Sequence, residues 1–213
     1  MKKTTSYLFT AIALLSPLAS QAASLSVSNI NDALGGTSYV LVTSSDLQLS
    51  TGFVAVYEFA SGFEPSTSTE LKANGATGFL GLAALSAGNR PNDGAVFASL
   101  DIDYTNINDL FIVIGDNTSV ADASGLALVK ASGLTLVSGG GGAETLGTYE
   151  LENLTDVIVG AVGSGTFDYS VFGQSTYDSN SLTLEALEAV PEPSSALLLG
   201  LSLLALAGNR RRK

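Results

Sequence analysis

The sequence predicts a mainly β protein, an antiparallel β-sandwich of jelly-roll-like build. Three observations carry that expectation. Apolar residues recur every second position rather than every third or fourth, the spacing of half-buried strands. The runs are short and are separated by Gly, Asn, Asp and Ser clusters that mark turns. The chain has 23 glycines and no cysteine, so tight turns are available throughout and the core must hold by packing rather than by disulfides.

The elements come in this order. Residues 38–43 and 53–59 are β-rich runs bounded by Gly35-Gly36 and Gly52. Residues 96–104 alternate strictly: Val96, Ala98, Leu100, Ile102 and Tyr104 fall on one face, Phe97, Ser99, Asp101 and Asp103 on the other. Residues 110–114 are apolar without a break, as in a strand buried on both faces. Further strands are expected at 126–130, 134–137, 148–151, 157–162, 167–172 and 182–187. About ten short strands with turns between them are the pattern of a sandwich. The one helical patch is 70–85, weakened by Gly75, Gly78 and Gly81, since glycine disfavours a helix interior. Residues 123–130 (Ala-Ser-Gly-Leu-Ala-Leu-Val-Lys) are followed at once by a near copy at 131–138 (Ala-Ser-Gly-Leu-Thr-Leu-Val-Ser), matching at six of eight positions. Two copies are too few for a solenoid. They read as two strands of a meander, each opened by a Ser-Gly turn.

Charge and composition exclude several functions. Between residues 23 and 189 only Lys72, Arg90 and Lys130 are basic, against 19 acidic residues, a balance of −16. Phosphates would be repelled, so no nucleic-acid partner is expected. The bland account of the acidity is solubility; the charge permits a divalent cation or a neutral sugar polymer as partner. The absence of histidine excludes Ser-His-Asp and Cys-His catalysis and His-ligated zinc. No cofactor is expected.

Both ends differ from the middle. Lys2 and Lys3 precede an apolar stretch from Tyr7 to Leu18, and Ser20-Gln21-Ala22 is a small-x-small site. This is the layout of a signal peptide over 1–22, cut between Ala22 and Ala23. A domain over 23–189 then leads into a tail over 190–213. There Val190-Pro191-Glu192-Pro193-Ser194-Ser195 precedes an uncharged Leu- and Ala-rich run, and Arg210, Arg211, Arg212 and Lys213 end the chain. Pro191 and Pro193 force extended backbone, which suits a processing site. The run 194–208 is apolar all round, so it reads as a transmembrane helix rather than an amphipathic one. Its 15 residues fall just short of the usual span of about 17–25, a gap closed by flanking residues or a thinner bilayer. The basic tip then stays cytoplasmic.

This tail resembles the PEP-CTERM sorting domain of Gram-negative envelope proteins, in the Pro191-Glu192-Pro193 motif, the Leu-rich segment and the basic end. The resemblance implies an exosortase as processing enzyme, removal of the helix near the motif, and release to the cell surface or into an exopolysaccharide matrix. It makes the protein a substrate of sorting. Some ice-binding proteins carry the same tail, so it is an address rather than a function.

The body offers weak sites. Asp101, Asp103 and Thr105 share a strand face with oxygens that calcium would accept. The spacing is not that of an EF-hand, because Asn106 and Ile112 stand where Gly and Glu belong, and a solvated strand face explains the acids better. Glu150 and Glu152 also share a face, and paired carboxylates hydrolyse glycosides. Gly139–Gly142 lacks the Lys-Ser/Thr of a phosphate loop. Thr67-Ser68-Thr69 echoes one row of an ice-binding face. Tyr57, Tyr149, Tyr169 and Tyr177 are candidate stacking platforms for a sugar polymer. The expectation is a non-enzymatic surface or matrix protein. The alternatives are a carboxylate-based glycan hydrolase or lyase, and an ice-binding protein.

Overall fold

The structure is a computed structural model that describes residues 20–31, 36–37, 39–60, 63–85, 97–138, 144–151, 156–168 and 176–187. The first strands are β1 (Gln21–Ser28), β2 (Ile30–Asn31), β3 (Gly36–Thr37), β4 (Tyr39–Val42) and β5 (Phe53–Glu58). A short helix α1 (Ser68–Ala73) precedes β6 (Phe79–Ala84), β7 (Phe97–Tyr104), a single 3-10 turn (Ile107–Asp109) and β8 (Leu110–Gly115). Then come β9 (Gly125–Lys130), β10 (Val137–Ser138), β11 (Glu144–Glu150) and β12 (Val157–Val159). β13 (Ala161–Asp168), β14 (Thr176–Thr183) and β15 (Glu185–Ala186) complete the order. The protein is mainly β, as its periodicity predicts.

A central sheet runs β12-β9-β8-β5-β6, with β15 also on β9, and a four-stranded sheet runs β10-β11-β1-β7. One core cluster fills the space between them. It joins Leu25 and Val27 of β1, Leu100 and Ile102 of β7 and Leu146 of β11 to Val54, Val56, Ile112, Ile114 and Val129 of the central sheet. A second cluster covers the opposite face of the central sheet. There Phe53, Tyr57, Phe111, Val113 and Leu128 pack under Leu71 of α1 and under Phe59, Val120 and Ala123. Every residue of β8 is therefore buried, which is why its sequence is apolar without alternation. β7 has the core on one side only, and its burial alternates residue by residue.

A third sheet, β13-β14-β4, stands beside these. Leu41 of β4 and Leu182 of β14 reach the first core cluster.

Several expectations are corrected. The sheets are mixed rather than wholly antiparallel: β1 runs parallel to β11, and β14 parallel to β4. Both parallel pairs join segments far apart in sequence, whose order no local pattern encodes. The helical patch at 70–85 is a helix only to Ala73, capped by the Thr67 hydroxyl accepting from the Glu70 N–H at 3.1 Å. Its second half is β6, entered through Gly78 at φ 72°, a conformation glycine adopts without strain. The two Ser-Gly copies do not form a meander. The first is β9, inside the central sheet, whereas the second turns at Gly133 (φ 80°) and contributes only β10, paired with β11 in the other sheet. The expected run 157–162 is broken by Gly160 at φ 100° into β12 and β13, which belong to different sheets.

The tail 190–213 and all but the last three residues of the stretch 1–22 lie outside the described residues. Among the described residues no helix is long and apolar enough to cross a membrane.

Candidate functional site

Asp101 and Asp103 project from the exposed face of β7, opposite Ser24 and Ala22 of β1. With Glu144 at the start of β11 they line an open cleft of about 400 Å³ floored by Ala22, Ala23 and Ser24. Alternation along a strand that packs on one side puts these carboxylates in water. Among the described residues no group of three or more acidic side chains is placed to hold a metal ion. Ala22 and Ala23, the residues expected to flank signal cleavage, both lie within β1. Ala22 is exposed, while Ala23 is buried against the core.

Thr105 is engaged elsewhere. The Glu58 carboxylate accepts from the Thr105 N–H at 2.9 Å, from the Asn106 N–H at 2.7 Å, and from the Thr105 hydroxyl. Asn106 in turn accepts from the Asn108 N–H and donates to Asp109 at 2.6 Å. The dense Asp/Asn run after β7 is thus a corner tied to the end of β5. Thr67 and Ser68 are likewise a helix start, Thr67 as the cap and Ser68 as the buried first residue of α1. Glu150 is the exposed end of β11; Glu152 and Gly139–Gly142 lie outside the described residues.

The tyrosines separate. Tyr57 is fully buried in the second core cluster and its hydroxyl donates to the Gly75 carbonyl at 2.8 Å, so it is no stacking platform. Tyr149 is half-buried, its hydroxyl donating to the Lys130 carbonyl at 3.1 Å. Tyr169 and the Tyr177 side chain lie outside the described residues. Among the described residues, the large aromatic rings that face solvent are Phe79 and Phe97.

Burial pushes the Tyr57 hydroxyl up from 10.0 to about 12. Burial also raises Tyr104, reinforced by Glu144, and Tyr149, reinforced by Asp156. The folded state therefore holds these protons more tightly than the unfolded chain does. That stability is complete below the unfolded value and disappears as pH rises toward the folded one. Between about pH 10 and pH 12 the domain is expected to lose roughly 2–3 kcal/mol through Tyr57 alone. Urea titrations across that window, with tyrosinate absorbance as the second probe, check it; a midpoint that does not move would refute the assignment.

A further concavity is one that strand periodicity does not reveal. On the β13–β14 hairpin, Ser164, Gly165, Thr166, Asp178, Ser179 and Asn180 line a shallow hollow of about 550 Å³. Ser164 pairs with Asn180 and Thr166 with Asp178, and the Thr166 hydroxyl donates to Asp178 at 2.7 Å. The signal in the sequence is the alternation of glycine with hydroxyl residues from Gly163 to Thr166, which leaves side chains on one face and bare backbone on the other.

The described chain ends at Leu187, on the side of the domain where α1 meets β9 and β15. Beyond Leu187 the sequence runs through a short acidic spacer into the Pro-Glu-Pro segment, the apolar run and the basic end. Residues 189–213 match the PEP-CTERM protein-sorting motif. The PEP-CTERM tail thus includes Pro191, Glu192, Pro193 and Arg210 to Lys213. The match begins two residues beyond Leu187 and leaves the body unmatched. No curated protein and no solved structure matches the chain. The PEP-CTERM tail supports export, sorting to the cell surface and an exosortase as the processing partner.

Proposed function

We propose that this is an exported surface or exopolysaccharide-matrix protein whose body is a sandwich-type, non-catalytic module binding a neutral polysaccharide or a neighbouring protein. The single observation that carries the sorting half is the PEP-CTERM match at 189–213. A signal peptide over 1–22 starts export. The apolar run 194–208 holds the chain in the inner membrane, basic end in the cytoplasm, until an exosortase removes it. The released body then joins the matrix.

The hairpin hollow supports carbohydrate as the ligand. Its hydroxyl, amide and carboxylate groups can exchange hydrogen bonds with sugar hydroxyls, and among the described residues its lining holds no basic side chain to select an anionic polymer. A glycan hydrolase is the competing reading, since Asp101, Asp103 and Glu144 share one cleft.

The test is intact mass and fractionation of the native protein with and without the host exosortase, followed by co-sedimentation of the released body with matrix polymer. The expected result is a tail-less form bound to polymer, weakened by Asp178→Ala together with Asn180→Ala. Shortening of the polymer by the wild-type body, abolished by Asp101→Asn and Asp103→Asn, would replace this reading with the hydrolase. A full-length protein in the inner membrane of both strains would make the tail a plain anchor.

A further inference from the structure

An edge strand offers unpaired N–H and C=O groups to any other strand, and proteins blunt such edges with charge, proline, a bulge or short length. Most of the described edges here are closed. β2, β3, β10 and β12 are two or three residues long. β7 carries Asp101 and Asp103. β6 lies against β7, so that a Cβ on Gly81 would stand 3.5 Å from side-chain atoms of Leu100 and Ile102. The outer side of β4 is taken by the segment after it: the Leu41 carbonyl accepts from the Leu49 N–H at 2.9 Å, and Val42 bridges to Gln48. β13 is different. It is eight residues long, and among the described residues it pairs with β14 alone, in unbroken register. Residues 161–164 and Thr166 are exposed, Val162 at 46%. Neither a charge nor a proline falls between Ala161 and Phe167, so this edge is open over seven residues.

We propose that β13 is a homotypic docking edge, on which β13 of a second copy of this chain pairs antiparallel about Ser164. Identical strands paired side by side in this way are related by a two-fold axis normal to the sheet, so one residue meets its own copy and the others pair symmetrically about it. With Ser164 on the axis, Val162 faces Thr166 of the second copy, Gly163 faces Gly165 and Ala161 faces Phe167. Val162 and Thr166 are both β-branched, the type that packs best on a pleated surface. Charge selects this register. An axis at Gly165 would bring Asp168 into the ladder against Val162, and one at Gly163 would shorten the ladder to five residues. Charge also allows the occupant to be the same acidic chain. The body carries a balance of −16, yet the two Asp168 positions fall about 27 Å apart along the ladder, past the ~8–10 Å over which charges act at ordinary ionic strength. Two seven-residue edges bury far less than the roughly 1,200–2,000 Å² of a stable interface, so the contact is weak by itself and forms where copies are crowded together. Pairing uses backbone groups and leaves the sheet faces open.

The chain has no cysteine, so a single introduced thiol reports the pairing. Directly opposite residues of an antiparallel pair have Cα atoms about 4.5–5.5 Å apart, inside the range that a disulfide spans. Ser164→Cys therefore meets itself on the axis, whereas the two thiol positions of Val162→Cys are held about 14 Å apart. Both residues are exposed, so neither substitution disturbs the core. The full chain is produced in its host, whole cells are treated with a mild oxidant, and the products are separated without reductant and identified by intact mass. Ser164→Cys is expected to form a homodimer at least about tenfold faster than Val162→Cys, since a paired thiol has an effective concentration that collision does not reach. Adding Thr166→Cys to Val162→Cys is expected to restore the fast crosslink. Equal rates for Ser164→Cys and Val162→Cys would overturn the proposal, because collision treats exposed thiols alike. So would an adduct of Ser164→Cys with a different protein in place of the homodimer, or no adduct at all.

Discussion

Gly52→Ala is expected to destabilise the domain by about 3 kcal/mol or more, the upper end for overpacking, because the new methyl meets backbone rather than a side chain that can turn. A Cβ at Gly52 would overlap the carbonyl oxygen of Gly115 and lie 2.9 Å from Leu85 Cδ1. Neither strand can give way. β5 is hydrogen-bonded to β8 on one side and β6 on the other, and the Gly52 carbonyl accepts from the Leu85 N–H at 2.9 Å. Gly115 is a different case. A Cβ there would overlap the Phe53 ring, a side chain that a smaller residue can replace. Gly115→Ala should thus be partly relieved by Phe53→Leu, while Gly52→Ala should not. Urea unfolding midpoints of the single and paired variants measure this. A Gly52→Ala protein within about 1 kcal/mol of wild type would show that the β5–β8 pair is looser than its packing implies.

Ile112→Ala is the second large effect, with an expected cost of about 2–5 kcal/mol. Ile112 is fully buried in the middle of β8, between Val56 of β5 and Val129 of β9, which are buried as completely. It points into the core shared with the four-stranded sheet. Neighbours hydrogen-bonded on both sides cannot collapse into the space, so the cavity persists and the loss exceeds simple transfer. For a domain whose total stability is of order 5–15 kcal/mol, that is a large share. Val162→Ala on β13, at an exposed apolar position, should stay within about 0.5 kcal/mol. Equal effects at the two sites would mean that the core between the sheets is not continuous.

The body is acidic and without cysteine, so packing of this kind holds it together where no disulfide can. Two features of the functional reading depend on that packing: the outward Asp101–Asp103 face, which alternates with core residues along β7, and the hairpin hollow on β13 and β14.

What the sequence determined by itself is whatever local periodicity and covalent geometry encode. Alternation along residues 96–104 placed Asp101 and Asp103 in water, and the unbroken run 110–114 identified a strand covered on both faces. Pro191 and Pro193 with the apolar run and basic end marked the sorting tail. Tertiary structure alone decided the pairings. β1 joins β7 and β11, partners roughly 75 and 120 residues away, and nothing within a single strand's length can state such a match. Two nearly identical Ser-Gly segments became a central strand and a two-residue edge because their neighbours differ, not their propensities. Tyr57 was buried because α1 and its following turn close over the central sheet. The Glu185 carboxylate met Ser68 because β15 lies on β9 beside the helix. Faces follow from the residue-to-residue repeat of the backbone, whereas partners follow from which distant surfaces exclude water together.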